Sequence, residues 1–254
     1  MPPKFSIIFA RLVMGEKMKI KAILFDLDGT LLPMDQEIFI KAYIGGLVTA
    51  AAPAGYEPKS LAEAIQAGTY AMVKNTGKKT NEEVFWDCMS GIYGKSVTRD
   101  LSLFEEFYRT DFQKVKHVCG FEPRVKGVLE FIKDKGLRTA LATNPLFPSV
   151  ATESRIRWAG LEVSDFEFFT SYENSRYCKP NPEYYSEVLT KIELSPEECL
   201  MVGNDVDEDM IAEKLGMKVF LLTNCLINRN GKDISAYPNG NIDELAEFIE
   251  NLDR

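Results

Sequence analysis

The segment IKAILF at residues 20–25 is a short apolar run rich in branched side chains, and it stops at Asp26, Asp28 and Gly29. A run of that length bounded by turn residues reads as a buried strand. The pattern recurs at residues 137–142, 166–169, 200–202 and 218–222, and helical patterns lie beside these runs. In residues 124–135, Val125, Val128, Leu129 and Ile132 fall at helix spacing and Gly136 stops them. Pro182 opens a helix carrying Tyr185, Val188, Leu189 and Ile192. Residues 207–215 read as another, ended by Gly216, and residues 242–252 as the last, after the turn-rich Pro238-Asn239-Gly240. Strands alternating with helices predict an α/β fold, a doubly wound parallel sheet covered on both faces.

Residues 36–116 follow a different rule. Four helical patterns succeed one another there, at 36–52, 59–74, 80–90 and 98–115, with Pro53, Gly55, Pro58, Gly77, Gly91 and Gly94 between them. The expected organisation is a core in two parts, residues 1–34 and 118–254, with an all-helical domain inserted at 35–117. Residues 1–17 read as an extension. The stretch FSIIFARLVM is short for a signal peptide, Arg11 interrupts it and no cleavage site follows, while Met18 is a natural alternative start.

Bulk properties exclude several classes. With 254 residues, 45% apolar and 27% charged, the chain has ordinary globular composition and room for a large core. A net charge of −8 and the lack of a long basic run argue against a nucleic-acid partner. No apolar run is long enough to span a membrane. Five cysteines with no Cys-x-x-Cys spacing argue against disulfides or a zinc site, and free thiols point to a cytoplasmic compartment. No P-loop or dinucleotide fingerprint occurs.

Four polar segments follow predicted strands, and in an open parallel sheet the strand ends share one crevice. Asp26 and Asp28 are carboxylates one residue apart, suited to a nucleophile beside a general acid/base. Thr143 and Asn144 can hold an oxyanion or simply cap a helix. Lys179, stiffened by Pro180 and Pro182, offers a point charge for phosphate. Asp205, Asp207, Glu208 and Asp209 crowd after the run LMV, and their mutual repulsion is relieved by a hard divalent cation or by a helix dipole. His117, the only histidine, has no catalytic companion and reads as structural. The aromatics of 103–112 fall at helix spacing and read as core, and Lys78 and Lys79 as solvated.

In that order, FDLDGT, Thr143-Asn144, Lys179 before a proline, and GNDVDED resemble the four motifs of the haloacid dehalogenase-like (HAD) hydrolase superfamily. The helical insert resembles the cap of the subgroup that places it between the first and second motifs. The resemblance implies a Mg²⁺-dependent phosphohydrolase acting on a small phosphorylated metabolite. Asp26 would attack phosphorus to give an aspartyl-phosphate, and Asp28 would protonate the leaving oxygen and then activate water. Thr143 and Asn144 would hold the phosphoryl group, and Lys179 would balance charge. Asp205 would bind Mg²⁺ with Asp26 and the Asp28 carbonyl, supported by Asp209. Pro145 departs from an amide-rich loop, because it removes one donor. A sugar phosphomutase, a haloacid dehalogenase and a non-catalytic binding protein are the competing readings. Asp28 and the Asp205/Asp209 pair speak against the dehalogenase.

Overall fold

The computed structural model describes residues 19–252, so the expectations for residues 1–17 and Met18 lie outside the described residues. Five strands, β1 (Ala22–Phe25), β2 (Arg138–Leu141), β3 (Cys199–Gly203), β4 (Lys218–Leu222) and β5 (Asn239–Gly240), form one parallel sheet in the order β2-β1-β3-β4-β5. The period-2 geometry of a strand sends alternate residues to opposite faces. Ile23, Phe25, Leu200, Val202, Phe220 and Leu222 accordingly enter one buried cluster, and Ala22, Leu24, Cys199, Met201, Val219 and Leu221 another. Both faces are covered, as the apolar runs predict.

The helices are α1 (Gln36–Ala51), α2 (Pro58–Val73), α3 (Asn81–Tyr93), α4 (Leu101–Arg109), α5 (Arg124–Asp134), α6 (Ser149–Trp158), α7 (Pro182–Ile192) and α8 (Ile242–Glu250). Local chemistry sets their starts. Asp35 accepts from the amides of Glu37 and Ile38 ahead of α1, and capping boxes at Thr80/Glu83 and Asn241/Glu244 open α3 and α8. Apolar residues of α5 and α8 enter the first cluster and those of α7 the second. Helices α1–α4 form an excursion between β1 and β2. It leaves at Met34 and returns at Cys119, two residues joined by an antiparallel bridge, and the Gly120 amide donates to the Pro33 carbonyl at 2.7 Å. Aromatic pairs tie the excursion to α6 and the loop before it: Tyr43 meets Phe147 at 5.1 Å and Phe112 meets Trp158 at 5.0 Å.

Four local expectations need correction. Residues 166–169 form a single bridge, Leu141 with Phe169, rather than a strand. The Glu167 amide bonds Thr139, but Leu141 donates to Phe168 and Thr170 returns to Leu141, so one extra residue bulges from this edge. Residues 207–215 do not form an α-helix. A 3₁₀ segment, Met210–Leu215, stands there, because Asp205 already binds the amides of Asp207 and Glu208 and Gly216 ends the chain's turn at φ +100°. The 98–115 pattern is α4 flanked by 3₁₀ segments, Lys95–Asp100 and Asp111–Val118. Asn239 and Gly240, read as a turn, add β5 beside Leu221 and Leu222.

Candidate active site

Strand order reverses between β1 and β3, because β1 connects first to β2 on one side and the chain then crosses to β3 on the other. Ligands bind at such a switch point, outside the carboxyl ends of the strands. Asp26 follows β1 there, and its amide donates to Val202 of β3 at 2.9 Å.

Lys179 is the centre of the site. Its side chain is fully buried and its Nζ donates to Asp26 Oδ1 at 2.8 Å and to Asp209 Oδ1 at 2.6 Å. Desolvation opposes its charge, but Asp209 and Asp26 outweigh this and hold the ammonium well above its ordinary pKa. Asp209 Oδ2 accepts from the Asp205 amide at 3.0 Å, so the fourth segment is locked to the first through Lys179. Burial pushes the Asp209 carboxyl upward against the pull of Lys179. The second oxygen of Asp26 is less tightly held. It accepts from Thr30 Oγ1 at 3.1 Å, and that hydroxyl has a competing acceptor, Asn204 Oδ1, at 3.0 Å.

Asp28 faces elsewhere. Its Oδ2 pairs with Arg155, a wholly buried guanidinium on α6 that also lies 4.4 Å from the Phe147 ring. Burial raises the Asp28 pKa to about 6; Arg155 pulls it down and Asp26 pushes it up. Its Oδ1 and Asn144 Oδ1 are buried acceptors that have no hydrogen-bond partner among the described residues. Such groups cost about 1–3 kcal/mol each. Asn144 donates through Nδ2 to Glu208 Oε2 at 2.9 Å. Burial pushes the Glu208 carboxyl up. Thr143 is buried beside these residues, and its carbonyl accepts from Tyr184 at 2.8 Å and Thr170 at 2.6 Å. Asp205 Oδ1 closes the turn onto Asp207 and Glu208, and its Oδ2 meets Arg229 at 2.5 Å. Asp207 points outward, toward Lys232 and Asn230.

Asp26, Lys179, Asp209 and Asp205 are therefore linked in one network, as are Asn144 and Glu208, while Asp28 is tied to α6. His117 is bonded through Nδ1 to the Lys114 carbonyl, away from this site. Sequence reasoning missed Arg155, Thr30, Asn204 and Arg229. Asp26, Asp28, Asp205, Asp209 and Glu208 outnumber Lys179, Arg155 and Arg229. This charge excess, the orphaned Asp28 oxygen and the hard oxygen donors fit a small divalent cation. Magnesium asks for one or two carboxylates with water and substrate oxygens rather than a full protein cage. Among the described residues no three His, Cys, Asp or Glu side chains form such a cage.

Comparison with known proteins identifies the family. The sequence model of the family described as "Hydrolase: haloacid dehalogenase-like hydrolase" matches residues 20–216. A Bacillus subtilis (strain 168) protein provisionally named as the phosphatase YhcW is 27% identical over 218 residues, covering 81% of this chain and 84% of that protein. The phosphoglycolate phosphatase of Vibrio vulnificus (strain YJ016) is 26% identical over 236 residues, covering 91% and 96%. The crystal structure of a HAD phosphatase from Thermococcus onnurineus superposes with a TM-score of 0.53 at 20% identity, covering 91% of this chain and 98% of that one, and supports the fold.

Proposed function

This chain belongs to the haloacid dehalogenase-like hydrolase family, and we propose that it is a Mg²⁺-dependent phosphatase that hydrolyses a small phosphorylated metabolite through Asp26. The observation that carries the reading is the buried Lys179 shared between Asp26 and Asp209. It holds one oxygen of the Asp26 carboxylate by a charge-assisted hydrogen bond in a largely buried position, which orients the other oxygen for attack.

Asp26 Oδ2 is the freer oxygen, since Thr30 can turn its hydroxyl to Asn204. It bonds to phosphorus as the bond to the leaving oxygen breaks, giving an aspartyl-phosphate. Asp28, with its carboxyl raised to about 6, retains a protonated fraction near neutrality and gives that proton to the leaving oxygen. Water then attacks phosphorus, passes its proton to Asp28 and releases phosphate and the Asp26 carboxylate. Lys179 stays charged throughout. The Thr143 hydroxyl and the Asn144 amide bind the phosphoryl oxygens, held by Tyr184 through the Thr143 carbonyl and by Glu208. Asp26, Asp205 and the Asp28 carbonyl would hold Mg²⁺, which when bound neutralises charge on the transferring phosphoryl group. Helices of residues 35–117 act as the cap over this crevice. The relatives' names as phosphatases support a small phosphorylated substrate. Localisation in the cytoplasm fits the five free thiols.

The test is phosphate release from a panel of phosphorylated metabolites with Mg²⁺, with and without chelator, run beside Asp26→Asn. Wild type should turn over at least one substrate, chelation should stop it, and the variant should lose about 10⁴-fold or more, the scale of nucleophile removal in other enzymes. Equal phosphate release by the two proteins would refute the assignment, and a phosphorylated isomer in place of free phosphate would make the enzyme a mutase.

A further inference from the structure

Asp205 already has a cation of its own. Its Oδ1 accepts from the amides of Asp207 at 2.8 Å and Glu208 at 3.0 Å, while Oδ2 is held by Arg229 at 2.5 Å. We propose that Arg229 is a resident counter-ion of Asp205 that a divalent cation must displace, so that this arginine sets the metal affinity of the site. The proposal rests on reading Asp205 as a metal ligand.

The two oxygens of Asp205 differ in how easily they exchange partners. Freeing Oδ1 means breaking the turn that starts the 3₁₀ segment, because both of its donors are backbone amides. Freeing Oδ2 asks only that one long side chain move. The Arg229 side chain is 54% exposed, against 0% for Lys179, so water can solvate the guanidinium after it leaves. Lys179 cannot be exchanged in this way, since its departure would strand Asp26 and Asp209 in the interior. The two cations thus have separate tasks: a fixed one between the buried carboxylates and a removable one at the rim.

The loop that carries Arg229 is fastened independently of it. Ile227 donates to the Asn204 carbonyl at 2.8 Å and accepts from Val206 at 3.0 Å. Asn204 Nδ2 bonds Cys225 at 2.6 Å, and Lys232 and Asn230 hold Asp207. Displacing Arg229 is therefore a side-chain movement on a loop that stays docked. Its other contact, Nη2 to Gln36 Oε1 at 3.3 Å, is with the first residue of α1 and is released in the same movement. An ion pair with one exposed member contributes modestly, so competition should weaken metal binding by roughly fivefold rather than by orders of magnitude.

Calorimetric titration of Mg²⁺ into the purified full chain tests this without a substrate. Arg229→Gln should bind Mg²⁺ roughly fivefold tighter than wild type, and the gap should narrow at high NaCl, where the wild-type pair is screened. Lys232→Gln removes an equal charge from the same loop without touching Asp205, and should change affinity by less than about twofold. An Arg229→Gln affinity equal to or weaker than wild type, or an equal gain from Lys232→Gln, overturns the counter-ion role. Asp205→Asn separates the two readings. If it binds Mg²⁺ as well as wild type, or if wild type binds none, the assignment of Asp205 as ligand falls and the proposal with it.

Discussion

Arg155 and Asp28 form an ion pair in which the guanidinium is completely buried and the carboxylate is partly buried, its side chain 18% exposed. The pair couples α6 to the residue assigned to proton transfer. Arg155 is oriented besides by the Phe147 ring, by Thr152 and by the Ala151 carbonyl, so the acid meets a charge that cannot swing away.

The pair sets a pH limb. In the proposed mechanism Asp28 has to be protonated for the first chemical step, and its carboxyl is raised to about 6. The donating fraction then falls tenfold per pH unit above that value, so log kcat/KM for a poor leaving group should decline there with unit slope. Arg155 lowers the Asp28 pKa, so Arg155→Met should move the limb to higher pH, by about one unit or more. Arg155→Lys keeps the charge and should move it less. The substrate's own ionisation is common to all three enzymes and cancels in the comparison. Coincident profiles would show that Arg155 does not tune the acid.

The same shift acts on folding. Asp28 has a native pKa above its unfolded value near 3.8, so the native state holds the proton more tightly. Its favourable contribution is complete below the unfolded value and is lost as pH rises through about 6. Urea unfolding at pH 4.5 and 6.5 should show wild type losing about 2 kcal/mol more than Asp28→Asn over that interval, with the other carboxylates common to both. A variant that loses as much as wild type would contradict the burial assigned to Asp28.

Removing Lys179 leaves two carboxylates buried beside each other. Lys179→Met should lose turnover and cost about 3–5 kcal/mol, the penalty for stranding a buried charge. Lys179→Met combined with Asp209→Asn removes one of the stranded charges. The double variant should regain part of the stability in urea unfolding and none of the activity. Additive losses would mean that the two side chains do not share one network.

Much of this fold can be read from the chain. The strand runs are apolar on both faces because both faces are covered, and the site acids end those runs, where polarity and turn residues change abruptly. Helix α6 is different. Its buried face includes Thr152, Ser154 and Arg155, so SVATESRIRW shows no apolar stripe, and the partner of Asp28 is hidden with it. Arg229 sits in a loop without periodicity, and only the fold brings it to Asp205. The edge at residues 166–169 is apolar like a strand, but nothing in composition marks a bulge.

Gly203 tests how tightly the acidic turn is packed. A Cβ there would stand 2.2 Å from Asp209 Cγ and 2.1 Å from Oδ2. Asp209 has no free direction to move, since Lys179 and the Asp205 amide hold its two oxygens. Gly203→Ala should therefore cost stability of about 1–3 kcal/mol through overpacking and lower kcat by more than tenfold through Lys179. Gly91→Ala, on helix α3, meets nothing within 4 Å and should leave kcat unchanged and raise stability by up to about 1 kcal/mol. Thermal unfolding and steady-state kinetics on the two variants decide the matter.

Asn81 joins the helical excursion to the loops that carry the second and third site segments. It is completely buried, and its Nδ2 lies 3.3 Å from the Pro145 carbonyl, 3.4 Å from that of Tyr177 and 3.3 Å from Cys178 Sγ. Its amide donates to the Ser175 carbonyl at 2.8 Å and its Oδ1 accepts from Asn75 at 2.9 Å. Pro145 follows Asn144 and Cys178 precedes Lys179, so one amide on α3 reaches the flanks of two site residues. Asn81→Ala keeps the backbone bond and deletes the side-chain ones, leaving the carbonyls of Pro145 and Tyr177 without this donor. Stability should fall by about 1–3 kcal/mol. If the excursion acts as a cap, kcat/KM for a bulky metabolite should fall more than for p-nitrophenyl phosphate, which asks less of cap contacts. Asn81→Asp keeps the shape, removes the donor and buries a carboxylate, so it should be worse than alanine on both measures. Equal loss on the two substrates would reduce Asn81 to a structural tie and detach residues 35–117 from substrate selection.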